Sequence, residues 1–471
     1  MRNSRKIAAV MALCLAASII CTACGSSVDE GADVTPNVIT SAADGGAAGD
    51  SGAAETSAPA GEAAEGTTTQ VPVETVIVTD ASGNAETGVG GDVLTAPAET
   101  TLPAETLSQE EISNIMTTAA TEPVAYDPAV DSATRYAYNT LNDDEKALYD
   151  AIVGAATSMN FKIRGTDNVS MEKWAKVYGM VYNQEPQIFW LHPKVKIGRL
   201  YFTEDDTAKI AEMQKQIDAT ADKLVKEASG KKSTYDKLMV FHNYLVYNST
   251  FQLSDDAYNS SIYNAFAGGE GVQGDIQCAG YAKAMQYLCD KAGIDCMVIT
   301  GENEKGSTHA WNKVKVDGEW YNLDATWDDP ILSTPDYKFL KYNYFLVPDS
   351  WINEKTHFMI NTRELASGST YKFFDPPAAT ATEQNYFIKN GFVYNDADSA
   401  DKAIKAELDK AADAGLSVAH IMVGSKDVYD TLYGKLKEYQ NYVKEGRSNV
   451  KGIADNCNPH ALIIELDVKY N

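Results

Sequence analysis

The chain has 471 residues, and 66 Asp and Glu against 40 Lys and Arg leave a formal charge of −26. There is no basic stripe to track a phosphate backbone, which excludes a nucleic-acid partner. Eighteen of the acids fall between Gly25 and Val130, a stretch without Lys or Arg, so most of the net charge carries no information about a substrate.

Arg2, Arg5 and Lys6 precede an apolar run from Ile7 to Ile20, followed by Cys21-Thr-Ala-Cys24-Gly. The run is shorter than the about 20 residues of a comfortable membrane span and reads as an export signal. The small residues before Cys24 resemble a bacterial lipoprotein cleavage box, with Cys21 where Leu is usual. That resemblance implies removal of residues 1–23, acylation of Cys24, and a lipid anchor as the chain's one contact with the membrane at the cell surface.

Residues 24–130 are rich in Ala, Gly, Thr, Ser, Pro and acid. Low hydrophobicity with one sign of charge cannot bury enough apolar surface to offset ordering entropy, so a disordered acidic tether is expected. A flexible coil of that length averages roughly 50–60 Å end to end.

An N-terminal helical region is expected over 131–232. Asn142 with Glu145 reads as a capping box before Leu148, Tyr149, Ile152 and Val153, and Ser170 caps a run through Trp174, Val177, Tyr178 and Val181. Pro186 to Leu191 reads as a strand, and Glu204 to Ser229 as a long amphipathic helix. A further helix, Thr234 to Tyr247, carries His242 among Leu238, Met239 and Leu245, a pattern that favours packed core over a second base.

The chemistry is concentrated between Cys278 and Asp324. Tyr281, Met285, Leu288, Cys289 and Ala292 follow Cys278 at helical spacing, and Gly293 supplies a left-handed stop. A thiol in the first turn of a helix meets unpaired N–H groups and the positive end of the dipole, which favour thiolate. The backbone N–H of Cys278 is a natural oxyanion donor, and Gln273 or Gln277 is a candidate for the second. Downstream, Val314, Val316, Tyr321 and Leu323 alternate about Asp317-Gly318, a dipeptide favouring a two-residue hairpin turn. With Val316 facing Glu319, His309 and Asp324 become diagonal neighbours on one face. A register slip of one residue would separate them.

Cys278-Ala-Gly-Tyr-Ala, His309-Ala-Trp-Asn and Trp320-Tyr-Asn-Leu-Asp324-Ala-Thr-Trp together resemble the transglutaminase-like superfamily, cysteine enzymes of papain-like fold. The resemblance is specific over about 233–330 and looser upstream to about 131. It implies an α+β papain-like core over 233–375, with Cys278 as nucleophile, His309 as general base and acid, and Asp324 as orienter. Active members attack an amide carbonyl with thiolate and release a thioester to water or to an amine. Here Gly274-Asp-Ile-Gln precedes the cysteine where relatives have a shorter Gly-Val, which leaves the second oxyanion donor open.

Tyr342 to Val347 reads as a strand. Pro376-Pro377 marks the start of a small α/β module over 376–471, with strands at Tyr386–Tyr394, Leu416–Val423 and Ala461–Tyr470, and helices at Asp401–Ala414 and Asp427–Lys444. No metal spacing is present, Gly268-Gly-Glu-Gly lacks the lysine of a phosphate cradle, and no cofactor is expected. His357, His420 and His460 stand isolated, which favours structural or surface roles. Cys289 and Cys296 flank Gly293 and are placed to bridge, although two buried thiols would serve equally. Two functions from different classes remain: an exported cysteine acyltransferase or peptidase acting on surface proteins or wall peptides, and a catalytically inactive binding or scaffold module of the same fold.

Overall fold

The computed structural model describes residues 124–471, apart from 125, 127, 255, 270–273, 303–306, 330–339, 353–356, 360–361 and 366, together with the backbone of Val78–Thr79 and Ala85–Gly88. The export signal, Cys24 and nearly all of the expected tether lie outside the described residues. Among those described, no helix is long and apolar enough to cross a membrane.

The helices begin where their capping residues stand. Helix α1 (Asp143–Thr157) opens on the expected capping box: Asn142 accepts from the Glu145 N–H, and Glu145 reaches back to the Asn142 N–H. Ser170 caps α2 (Met171–Gln184), Asp206 caps α3 (Thr207–Ser229) and Ser233 caps α4 (Thr234–Asn248). Between α2 and α3, Pro186 to Leu191 forms turns with a single bridge from Leu191 to Phe202, not the expected strand. Its apolar side chains are buried individually: Trp190 spends its indole N–H on Ala156 O, and Phe189 packs edge-on against it. A six-residue apolar run cannot by itself distinguish a strand from a packed turn.

Strand β1 (Ser249–Phe251) pairs in parallel with β2 (Gly274–Ile276), and the short helix α5 (Ile262–Phe266) lies between them in sequence. Helix α6 (Cys278–Ala292) follows directly. It ends on Gly293 at φ 68°, the left-handed stop read from the sequence. Then come β3 (Cys296–Glu302), β4 (Thr308–Val316), β5 (Glu319–Leu323), β6 (Phe345–Val347) and β7 (Phe358–Met359). They form one antiparallel sheet in the order β7-β3-β4-β5-β6. The β4–β5 turn has positive φ at Asp317 and Gly318, as a two-residue hairpin of this twist requires. Val316 faces Glu319, and the ladder runs without a slip to Asn312 opposite Leu323. A bulge does occur in β5, but on its other edge, against β6.

A buried ion-pair network ties the N-terminal helices to α6. Arg135 bonds Glu185 on one side and Asp290 of α6 on the other, while Tyr149 and Ser132 donate to Glu185. Burial raises the Asp290 carboxyl to about 6, against the opposing pull of Arg135.

C-terminal to Pro377, the expected strand at Tyr386–Tyr394 divides into a turn of helix, α7 (Tyr386–Lys389), and β8 (Val393–Tyr394). Asn385 caps that turn by accepting from Phe387 N–H. Next come α8 (Ala397–Ala414), β9 (Val418–Val423), α9 (Lys426–Tyr433), α10 (Leu436–Lys444), β10 (Val450–Asp455) and β11 (Ile463–Tyr470). The single helix expected over Asp427–Lys444 is interrupted at Gly434-Lys435, and β10 has no counterpart in the sequence reading. The sheet order is β8-β9-β11-β10, with β8 and β9 parallel and the other pairs antiparallel. Apolar residues of α8, α9 and α10 cover one face. The other carries Glu465 and Asp467, both buried, which pair with buried Lys341 from the segment before β6.

Candidate active site

Cys278 stands at the first position of α6 and is fully buried. Gln277, the residue before it, makes no side-chain cap, and its carbonyl accepts from the Gly280 N–H at 2.8 Å. Cys278, Ala279 and Ala282 form a small apolar cluster with Val298 of β3 and Ala310 of β4, and Phe251 packs against it. The glycine of Cys-Ala-Gly-Tyr is explained by space: a Cβ on Gly280 would stand 2.7 Å from Asn259 O. The helix start is therefore pressed against the 259–261 turn, where Asn259 O accepts from Gln277 N–H at 2.8 Å.

The hairpin register delivers the other two residues. His309 Nε2 lies 2.5 Å from Asp324 Oδ2, and the two side chains are 9% and 2% exposed. Asp324 Oδ1 accepts from the Thr326 and Trp327 N–H groups at 2.8 and 3.1 Å. Burial works against ionisation of this carboxyl, but the charge and hydrogen bond of His309, with the hydrogen bond of His357, hold it well below the usual carboxylate range. Trp311 stacks near the His309 ring at 5.9 Å, and Trp327 meets it edge-on at 6.1 Å.

Polar side chains fasten this strand to its neighbours. Asn312, the last residue of His-Ala-Trp-Asn, donates to Ala282 O in α6 at 2.9 Å. Trp311 Nε1 donates to Asn322 Oδ1 at 3.1 Å, and Lys313 pairs with Asp349. The strand of His309 and the helix of Cys278 are thus joined by a buried amide as well as by apolar contact.

His357 departs from expectation. It is buried rather than isolated or superficial, and its Nε2 lies 2.7 Å from the same Asp324 Oδ2 that meets His309. It stands immediately before β7, the edge strand that pairs with β3. No local periodicity marks the position, because the fold alone brings it across the sheet. His242 is core, as expected, and also bonds Asp328 through Nε2 at 3.0 Å. Asp328 in turn accepts from Tyr344 N–H.

Of the oxyanion candidates, Gln273 lies outside the described residues. Gln277 is buried beside Cys278, with its Oε1 accepting from Ser260 Oγ at 3.2 Å, which orients its amide. Cys289 and Cys296 are free thiols. Burial, followed by the hydrogen bond to Cys289, raises the Cys296 thiol well above its usual value, which disfavours thiolate. Burial likewise raises Cys457.

One donor atom each from His309, Asp324 and His357 lie within 4.8 Å of one another, close enough for a metal ion among the described residues. The donor set does not fit one. Both oxygens of Asp324 already meet nitrogen partners, two N–H groups on Oδ1 and two imidazoles on Oδ2, so the hydrogen bonds account for the clustering.

The family described as the transglutaminase-like superfamily matches residues 221–325, which contain Cys278, His309 and Asp324. This segment is a transglutaminase-like core. Human kyphoscoliosis peptidase is 30% identical over 132 residues, covering 25% of this chain and 19% of that protein, and the mouse counterpart is 29% identical over the same length. The chain therefore spans about a fifth of the length of the curated relatives it matches. A solved TGase is 24% identical, covering 27% of this chain and 35% of its own at a TM-score of 0.21. A putative cysteine protease from Cytophaga hutchinsonii is 20% identical, covering 24% and 38% at a TM-score of 0.19. Around the transglutaminase-like core the mixture of helices and antiparallel sheet is that of an α+β fold.

Proposed function

We propose that the chain is an exported, lipid-anchored cysteine acyltransferase or peptidase that attacks amide carbonyls of surface proteins or wall peptides. The observation that carries this reading is the 2.5 Å contact between His309 Nε2 and Asp324 Oδ2, on the strand beside the helix that Cys278 begins. Nε2 of His309 is committed to the carboxylate, which leaves Nδ1 for the thiol.

In this reading Cys278 Sγ gives its proton to His309 Nδ1, and the thiolate attacks the carbonyl carbon. The oxyanion forms against the Cys278 N–H, with Gln277 or Gln273 as second donor. Collapse expels the amine, which takes its proton from the His309 imidazolium and leaves a thioester. Water then gives hydrolysis, and a primary amine gives a new amide. Asp324 keeps the imidazole oriented throughout and is not itself protonated.

The full burial of Cys278 is the observation that favours the second reading, a binding module that retains the fold. Incubation of the full chain with cell-surface extract and a biotinylated primary amine, followed by mass spectrometry, separates the two. Amine incorporation or peptide cleavage that disappears in Cys278→Ala supports the enzyme. Turnover surviving that substitution, or no turnover with any extract, favours the module. Anchoring is tested by metabolic labelling with palmitate, which Cys24→Ala is expected to abolish.

A further inference from the structure

His309 and His357 contact one oxygen of one carboxylate, and the arrangement has a chemical consequence that the Cys-His-Asp scheme does not contain. Their Nε2 atoms lie 2.5 and 2.7 Å from Asp324 Oδ2, and the rings meet edge-on with centroids 5.2 Å apart. Trp311, Trp327 and Tyr344 surround the His357 ring at centroid distances of 5.1, 5.6 and 5.0 Å. His357 is therefore fixed in orientation by aromatic walls as well as by its bond to the acid.

We propose that His357 is a positioning residue of the acyl-transfer site, whose Nε2–H shares Asp324 Oδ2 with the base and so divides the carboxylate's charge between two donors. The inference rests on the Cys278–His309–Asp324 reading given above. Two imidazolium ions on one buried oxygen would repel, so when His309 is charged His357 is the neutral partner, with its proton on Nε2. Burial, together with the nearby His309, lowers the His357 value and agrees with that assignment. The positive end of the His357 N–H dipole then points at the oxygen that stabilises charge on His309. Its effect is to weaken that stabilisation, so that the imidazolium formed on attack remains acidic enough to release its proton to the leaving amine.

The other titratable groups around the three residues are Cys278 and Tyr281 from α6, Asp328 and Asp329 from the loop after β5, and Tyr344 from the segment before β6, whose ring packs on His357. Asp328 is paired with His242, and Asp329 accepts from Tyr281. Both acids are thus engaged by other donors.

The test is the pH profile of Cys278 carbamidomethylation by iodoacetamide in the full chain, read as the modified Cys278 peptide by mass spectrometry from pH 5 to 10. His357→Phe keeps the bulk and removes the donor. His357→Gln places a side-chain amide N–H where Nε2–H was. The alkaline limb of the profile is expected to move up by about one pH unit in His357→Phe, a tenfold change in the underlying equilibrium, and to return in His357→Gln. A purely structural role would lower melting temperature or overall rate without moving the limb. Identical limbs in all three proteins would overturn the proposal. A wild-type profile matching that of an ordinary exposed thiol, with no second limb, would instead overturn the Cys–His pair on which it rests.

Discussion

His309 and Asp324 are fifteen residues apart in sequence and 2.5 Å apart at their polar atoms, because Val316 faces Glu319 across a two-residue turn. Their separation is set by pairing register, and a hairpin has only two faces. Asp324→Asn preserves the register and shape but replaces an acceptor by an amide that can also donate. Amide turnover is expected to fall by about 10³-fold or more, with unfolding little changed. Steady-state assay beside a thermal melt checks this, and a loss below tenfold would remove Asp324 from the mechanism.

The Gly280 site couples packing to chemistry. A methyl group there meets Asn259 O at 2.7 Å and Ile276 Cβ at 3.1 Å, so Gly280→Ala has to displace the start of the Cys278 helix. A destabilisation of about 1–3 kcal/mol is expected, measurable by urea denaturation. Alkylation of Cys278 should change by a larger factor than alkylation of Cys457, which lies near the β11 strand and far along the chain.

Arg135 pairs with two buried acids, Glu185 and Asp290. Arg135→Ala leaves both carboxylates without it and is expected to cost about 3–5 kcal/mol at pH 7.5. Protonation relieves an unpaired buried acid, so the deficit should narrow as the pH falls toward 5. Guanidinium denaturation at the two pH values tests the sign. An equal deficit at both would mean that the network is held by packing and not by charge.

His420 of β9 has its value lowered to about 3, by burial first and then by Lys341. The unfolded chain protonates this imidazole near 6.5, whereas the folded chain holds it neutral. The unfolded state therefore binds more protons between these values, and stability falls as the pH drops through about 6.5 toward 3. His420→Phe is expected to melt with a shallower dependence on pH between 7 and 5. Parallel curves for variant and wild type would count against it.

How far the sequence foretold this structure depended on the range of the interaction. Caps at Asn142 and Ser170, the stop at Gly293 and the Asp317-Gly318 turn are decided within a few residues, and each was legible. Hairpin register extended that reach to the meeting of His309 with Asp324. Pro186–Leu191 was misread because its apolar side chains are buried one at a time against different partners. The α7 turn was hidden inside an apolar run that looked extended. His357 was invisible because its neighbours come from β4, from the loop after β5 and from the segment before β6, so its isolation in sequence carried no sign of its place in space.

The Lys341 pairing with Glu465 and Asp467 bears on how such a chain can be rearranged by recombination. A fragment cut near Pro376 would keep the lysine and discard both acids, leaving a cation moulded to a surface that is no longer there. A foreign module grafted at that point would have to offer a carboxylate at the same spot or a lysine-free seam. The two parts are therefore expected to be inherited together, and chimeras between distant members should succeed when residue 341 travels with the C-terminal sheet.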